Sequence, residues 1–93
     1  MYAVVFASTL SADSAGYEAA AARMEELARA QPGFVSIDSV RDADGRGITV
    51  CCWESLEAVE AWRTHAEHLA AQRQGRERWY ESYELTVCQV LES

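Results

Sequence analysis

The order of strand-like and helix-like segments limits this chain to few folds. Runs of aromatic and β-branched residues predict strands at residues 2–9, 34–40, 48–53 and 80–91. Apolar residues at three- and four-residue spacing predict helices at residues 17–28 and 56–73. This β-α-β-β-α-β order is that of ferredoxin-like α+β domains, in which two helices cover one face of a four-stranded antiparallel sheet. We therefore expect a single domain spanning residues 1–93.

Capping and turn residues mark the ends of these elements. Asp13 or Ser14 is the expected N-cap of the first helix, and Ser55 is the expected N-cap of the second. The Gln-Pro-Gly sequence at 31–33 ends the first helix. The Asp-Gly pair at 44–45 predicts a hairpin between the second and third strands.

The first and last strands are apolar on both faces, which is more apolar surface than two helices can cover. A sheet with helices on one side leaves its other face open, and a second sheet packed against that face would bury it. We therefore expect a homodimer, formed through the open sheet face and the last strand, with an apolar pocket between sheet and helices. The alternation is visible in the first strand, where one face carries Tyr2, Val4 and Phe6 and the other Ala3, Val5 and Ala7.

The charge distribution argues against nucleic acid and membranes as partners. The formal net charge is −7, and the eight positive charges are not gathered into a basic stripe. No segment approaches the roughly 20 apolar residues that a membrane-spanning helix needs. We expect a cytoplasmic protein without a signal peptide.

The three cysteines, Cys51, Cys52 and Cys88, predict neither a disulfide framework nor a metal site. Their number is odd, and neighbouring residues of a strand point to opposite faces. No histidine lies at a ligand spacing from them, so we expect free, buried thiols and no bound metal.

The second helix carries the candidate chemistry. It is expected to break near Thr64, with a further helical turn before the last strand. On a continuous helical wheel Trp62 lies on the apolar stripe, His65 borders it, and His68 falls on the polar, solvated face. Histidine is suited to accept a proton near neutral pH, but a boundary histidine bonded to backbone is the alternative for His65. Trp62 could form core or pocket wall, and Tyr17 could donate a hydrogen bond into the same pocket or lie at the core edge.

Three segments together resemble one known family. Residues 49–68 read TVCCWESLEAVEAWRTHAEH, residues 74–81 read QGRERWYE, and residues 2–6 read YAVVF. The chain is similar to the antibiotic biosynthesis monooxygenase superfamily, and the likeness extends over nearly its whole length. The resemblance implies a dimeric α+β barrel. Members of the superfamily oxygenate aromatic polyketides or quinols without a cofactor, or degrade haem, and many have no known reaction.

Carried over residue by residue, the resemblance favours the first activity. Oxygenases of the superfamily commonly use a Trp of the second helix, which Trp62 matches, and an Asn of the first strand. This chain contains no Asn, and Ser8 and Thr9 stand near that end of the strand. In the haem-degrading branch a His about ten residues after the Trp binds iron, and Gln72 occupies that position here.

The sequence therefore predicts a monooxygenase that acts on a small aromatic substrate with no cofactor or metal. The expected catalytic residues are His65 and Trp62, and the expected substrate-binding residues are Phe6, Ser8 and Tyr17. Two alternatives stay open. One is a non-catalytic dimeric module that binds an apolar aromatic ligand or haem, and the other is a structural dimer whose barrel is filled by side chains.

Overall fold

The strands and helices follow the predicted order. The computed structural model describes residues 1–91, without the side chain of Ala66. The second predicted helix is divided into two helices and a π-helical turn. The elements are β1 (Tyr2–Leu10), α1 (Tyr17–Arg29), β2 (Phe34–Arg41), β3 (Arg46–Trp53), α2 (Leu56–Arg63), α3 (Ala66–Gln74), the π-helical turn (Gly75–Trp79) and β4 (Tyr80–Gln89).

The sheet has the strand order β2-β3-β1-β4, and every neighbouring pair is antiparallel. The first strand is therefore central and pairs with both β3 and β4, while β2 and β4 form the edges. Along β1, Tyr2 lies opposite Trp53 and Ser8 lies opposite Gly47. The ferredoxin-like fold predicted from the sequence is confirmed.

The helices pack on one face of this sheet because its side chains alternate with a period of two. Val4, Cys51 and Ile37 are aligned across three strands on that face. The core beneath the helices consists of Ala28, Cys51, Trp53, Val59 and Trp62, with Tyr2, Val4, Met24, Leu27, Phe34, Ile37 and Ala58 packed around it.

The hairpin between β2 and β3 is the one that the Asp-Gly pair predicts. Gly45 has a φ of 87°, a left-handed conformation that glycine adopts without steric penalty. The Asp42 carboxylate accepts hydrogen bonds from the backbone N–H groups of Asp44 (2.9 Å) and Arg46 (3.0 Å), which fixes the loop.

The N-cap prediction holds for one helix and is wrong for the other. The Ser55 hydroxyl accepts a hydrogen bond from the Ala58 N–H at 3.1 Å, as expected for the N-cap of α2. At α1 the N-cap is Gly16, with a φ of 86° and no side-chain bond, instead of Asp13 or Ser14. A tertiary contact causes the difference, because the segment 11–15 packs on the π-helical turn.

The break in the second predicted helix is confirmed. The Thr64 hydroxyl donates to the Glu60 carbonyl at 2.9 Å and ends α2. The ring of His65 then accepts a hydrogen bond through Nδ1 from the Glu67 N–H at 3.3 Å, so His65 is the N-cap of α3. None of the helices in the described range 1–91 is long and apolar enough to cross a membrane.

Candidate functional site

Arg41, the last residue of β2, reaches across β3 toward β1 at one end of the sheet. Its Nη1 donates to the carbonyl oxygens of Ser8 (3.1 Å) and Gly45 (2.6 Å). Its Nη2 donates to the Ser8 hydroxyl (2.7 Å) and the Tyr17 hydroxyl (3.0 Å). The guanidinium fits there because Gly47 has no side chain, since a Cβ at that position would lie 2.6 Å from Arg41 Cζ.

Aromatic rings surround this guanidinium. Arg41 Cζ lies 5.1 Å from the centre of the Tyr17 ring, within the range of a cation–π contact. Tyr80 packs edge-on against both Tyr17 (5.9 Å between ring centres) and Phe6 (5.2 Å). We call Phe6, Ser8, Tyr17, Arg41 and Tyr80 the Arg41 cluster.

The π-helical turn positions Tyr80 and ties α1 to the sheet. The Trp79 indole N–H donates to the Ala15 carbonyl at 3.0 Å, and the Ser11 backbone N–H donates to the Trp79 carbonyl at 2.7 Å. Gly75 lies directly against the Tyr80 ring, where a Cβ would come within 2.6 Å of the ring. Single π-helical turns occur often at functional sites.

The half-buried Tyr80 hydroxyl is held in its protonated form. Burial raises the pKa of Tyr80 above its ordinary value, Tyr17 raises it further, and the positive charge of Arg41 offsets part of this shift. At neutral pH Tyr80 is therefore a hydrogen-bond donor at the edge of the Arg41 cluster.

A second aromatic group lies under α2. The Trp62 ring stacks between Trp53, at 6.0 Å, and His68, at 4.2 Å and an interplanar angle of 14°. We call these three residues the Trp62 stack. Trp62 is only 8% exposed and Trp53 is fully buried, so both rings are part of the core.

The expectation that His68 is solvated is wrong. His68 is half-buried, and its Nδ1 lies 3.0 Å from the Trp62 carbonyl oxygen, within hydrogen-bonding distance. Burial lowers the pKa of His68. A wheel drawn through an unbroken helix misplaces His68, because the chain turns at Thr64 and His65 before α3 begins. His65 lies 5.8 Å from the Trp62 ring, where it caps α3.

The two groups are anchored at opposite ends of β1. Trp53 of the Trp62 stack lies opposite Tyr2. Ser8 of the Arg41 cluster lies six residues further along β1, opposite Gly47. Six residues of a strand span about 20 Å. Of the expected site residues, the fold thus brings Phe6, Ser8 and Tyr17 together, and it holds Trp62 and His65 at the other end.

Ser8 uses its polar oxygen atoms to hold Arg41 in place. The residue is 1% exposed, and its hydroxyl and carbonyl oxygens both accept hydrogen bonds from the guanidinium. The groups of the cluster that retain exposure are Phe6, Tyr17, Tyr80 and Arg41 itself.

Sequence reasoning did not identify Arg41 or Tyr80 as site residues. One signal could have identified Arg41. The alternation of β2 places it on the same face as Ile37 and Ser39, which is the face that the helices cover. A charged residue at an inward position of a strand requires a partner or a function.

Two concavities of the described chain are open grooves. One, of about 560 Å³, runs along the segment from Ala12 to Ala19, beside Tyr17 and Leu10. Another, of about 430 Å³, lies by Arg41 and Gly47 on the hairpin. Both therefore flank the Arg41 cluster. In the range 1–91, no three His, Cys, Asp or Glu side chains converge as metal ligands would.

The three cysteines are free thiols, as predicted, but only Cys51 is buried, and Cys52 and Cys88 are half-buried. Burial raises the pKa of Cys51 to about 11, so this thiol is not a nucleophile at neutral pH. Cys52 and Cys88 flank Ala3 on the two neighbouring strands, which separates their backbones by about 10 Å, beyond the reach of a disulfide.

Comparison with known proteins supplies the family. The model of the antibiotic biosynthesis monooxygenase family matches residues 1–74, and the chain belongs to this family. A relative, the uncharacterized protein YqjZ of Bacillus subtilis (strain 168), is 53% identical over 89 residues, which cover 96% of this chain and 78% of YqjZ.

Solved structures agree with this assignment at the level of the fold. Rv0793 from Mycobacterium tuberculosis has a TM-score of 0.86 and 22% identity, with 99% of this chain and 96% of that chain covered. SnoaB, a cofactor-independent oxygenase from Streptomyces nogalater, has a TM-score of 0.83 and 19% identity, with 99% and 94% covered. The resemblance noted in the sequence is confirmed.

Proposed function

We propose that this protein is a monooxygenase that oxidises a small hydroxylated aromatic substrate without metal or flavin. The observation that carries the proposal is the Arg41 cluster, in which partly exposed aromatic rings surround a guanidinium in a member of the antibiotic biosynthesis monooxygenase family. SnoaB, which shares the fold, is a cofactor-independent oxygenase.

In such a reaction the substrate itself supplies the electrons. An activated methylene carbon of a hydroxyanthrone loses a proton, and the resulting carbanion forms a carbon–oxygen bond with O₂. After protonation, the O–O bond breaks and the second C–H proton is lost, giving a carbonyl group and water. The carbon is oxidised by four electrons, and one O₂ accepts all four.

The chain's own residues would bind the substrate and stabilise charge. The ring centres of Phe6, Tyr80 and Tyr83 lie 5.2 to 6.2 Å from one another, and this aromatic group suits a flat aromatic ligand. The protonated Tyr80 hydroxyl could donate a hydrogen bond to the developing oxyanion.

A second copy of the chain would close this surface. Tyr83, Leu85 and Val87 lie on the helix-facing side of the edge strand β4 and are 41–46% exposed. On the open face of the sheet, Val40 and Ile48 are 68% and 42% exposed. An unprotected edge strand with one exposed apolar side, together with apolar residues on the open face of the sheet, favours association with a second sheet. The homodimer thus belongs to the proposal.

The proposal is tested by oxygen uptake with a hydroxyanthrone, followed together with the absorbance of the quinone product. We expect one O₂ consumed per quinone formed, in the presence of a chelator and with no flavin added. Arg46→Gln is the matched control for Arg41→Gln, because Arg46 is an exposed arginine of the same hairpin. Binding of the anthrone with no oxygen uptake above the uncatalysed rate would contradict the proposal and indicate a non-catalytic binding module.

His65→Ala decides whether the expected catalytic histidine acts from the other end of the protomer. Loss of turnover at unchanged stability would assign His65 the role of base and place the reaction beside Trp62 instead of at the Arg41 cluster. Loss of stability at unchanged turnover of the folded fraction would leave it as the cap of α3.

A further inference from the structure

Arg41 differs from every other arginine of the chain. It is the only one of the eight that is not exposed, and among residues 1–91 no carboxylate lies within ion-pair distance of it. Four exposed arginines do have carboxylate partners: Arg23, Arg29, Arg63 and Arg78. Charges removed from water are normally paired, so the half-buried Arg41 has an uncompensated positive charge where compensation is most needed.

Neutral oxygen atoms hold Arg41 in place without neutralising it. Its acceptors are two carbonyl groups and the hydroxyls of Ser8 and Tyr17. The adjacent Asp42 carboxylate is turned toward the loop backbone. Two glycines provide the space, Gly47 under the guanidinium and Gly75 under the Tyr80 ring. The arrangement is preorganised around a positive charge.

We propose that Arg41 is the specificity-determining residue of the site and that it binds the ionised oxygen of an aromatic ligand, a phenolate or an enolate. The inference takes the substrate class from the proposed function and names Arg41 as the residue that selects this substrate. The aromatic part of the ligand would contact Phe6, Tyr80 and Tyr83, while its anionic oxygen would lie near the Tyr17 hydroxyl and the guanidinium. The titratable groups that face this position are Arg41, Tyr17, Tyr80 and Tyr83, and among them only Arg41 is charged at neutral pH.

The test uses para-nitrophenol, which is yellow when ionised and colourless when protonated. Titration of the probe in the presence of saturating full-length protein gives its pKa in the bound state. We expect the bound probe to have a pKa about one unit below that of the free probe, since an opposite charge within a few ångströms favours the ionised form. Its uncharged analogue, para-nitroanisole, is expected to bind about tenfold more weakly, the affinity equivalent of one pKa unit.

The variants separate charge from shape. Arg41→Gln is expected to abolish the shift, Arg41→Lys to retain part of it, and Arg46→Gln to leave it unchanged. Tyr17→Phe keeps the ring packing and is expected to weaken binding about threefold to tenfold through loss of one hydroxyl. Circular dichroism of each variant verifies the fold, and Tyr17→Phe with Arg41→Lys keeps the test valid if Arg41→Gln does not fold.

Three results would overturn the inference: para-nitroanisole binding as tightly as para-nitrophenol, an unchanged shift in Arg41→Gln, or displacement of the probe by millimolar phosphate as readily as by a phenol. The oxygenase proposal fails separately. If the probe shift depends on Arg41 and no anthrone consumes oxygen, the phenolate site stands without the reaction. If anthrones are oxidised equally well by Arg41→Gln, the reaction stands and the assignment of Arg41 fails.

Discussion

Replacing Gly47 by alanine is expected to destabilise the protein, although alanine usually stabilises a strand relative to glycine. The new Cβ would lie 2.6 Å from Arg41 Cζ and 2.9 Å from its Nε, so the guanidinium must move. Once displaced into water, Arg41 regains hydrogen bonds, but the Ser8 hydroxyl, 1% exposed, loses its donor. An unsatisfied buried polar group costs about 1–3 kcal/mol.

We expect a loss of about 2 kcal/mol in the free energy of unfolding, net of the small gain from removing a glycine. For a domain of this size that lowers Tm by about 10 °C. Thermal and urea unfolding followed by circular dichroism measure both quantities.

The Arg41→Ala background is the matched control. There Gly47→Ala has no guanidinium to displace and should be neutral or stabilise by about 0.5–1 kcal/mol. The double-mutant cycle should therefore give a coupling energy well above the roughly 0.5 kcal/mol seen for independent sites. If Gly47→Ala alone raises Tm, or if the two substitutions are additive, the guanidinium is not held where the structure has it.

Three further predictions concern the second helix and the dimer. His65→Ala should lower stability by about 1 kcal/mol through loss of the α3 cap, whereas His65→Asn should restore most of it, as urea midpoints would show; equal losses in both variants would contradict the capping role. Because burial lowers the pKa of His68, the unfolded chain binds more protons below about 6.5, and stability should fall as pH falls from 6.5. His68→Gln should flatten that part of the pH profile, and an unchanged slope would exclude His68 as its source. Light scattering at micromolar concentration should show a dimeric wild-type protein and a monomeric Ile48→Lys variant. Leu69→Lys is the control that should stay dimeric, because Leu69 is similarly exposed but lies on α3. A monomeric wild type would refute the sheet-packing argument.

The elements could be predicted from the sequence because local signals define them. The Asp-Gly hairpin, the Ser55 cap and the break near Thr64 depend on a few neighbouring residues, and the structure has all three. The N-cap prediction for α1 was wrong because segment 11–15 is held by Arg78 and Trp79, more than 60 positions away. Local periodicity contains no information about such a contact.

The candidate site was harder to predict for the same reason. The Arg41 cluster combines two residues of β1 with one each from α1, β2 and β4, and no spacing in the sequence links these elements. His68 was placed on the solvated face because a helical wheel assumes a constant rotation of 100° per residue. That assumption ends where α2 ends, so the ring that stacks on Trp62 is that of His68.

The pairing of β1 with β4 has a consequence for how the chain folds. The strand made first, with Tyr2 opposite Gln89, obtains its second neighbour only from the strand made last. Bringing β4 back to β1 closes a loop of most of the chain, and the loss of chain entropy comes before the contacts form. We therefore expect this pairing to be a late and slow step in folding. Until β4 arrives, Phe6 lacks its Tyr80 contact and the central strand exposes an unpaired edge. A truncated or stalled chain would therefore lack Tyr80 of the Arg41 cluster and be prone to aggregate, which makes an intact C-terminal strand a condition of solubility as well as of the aromatic contacts around Arg41.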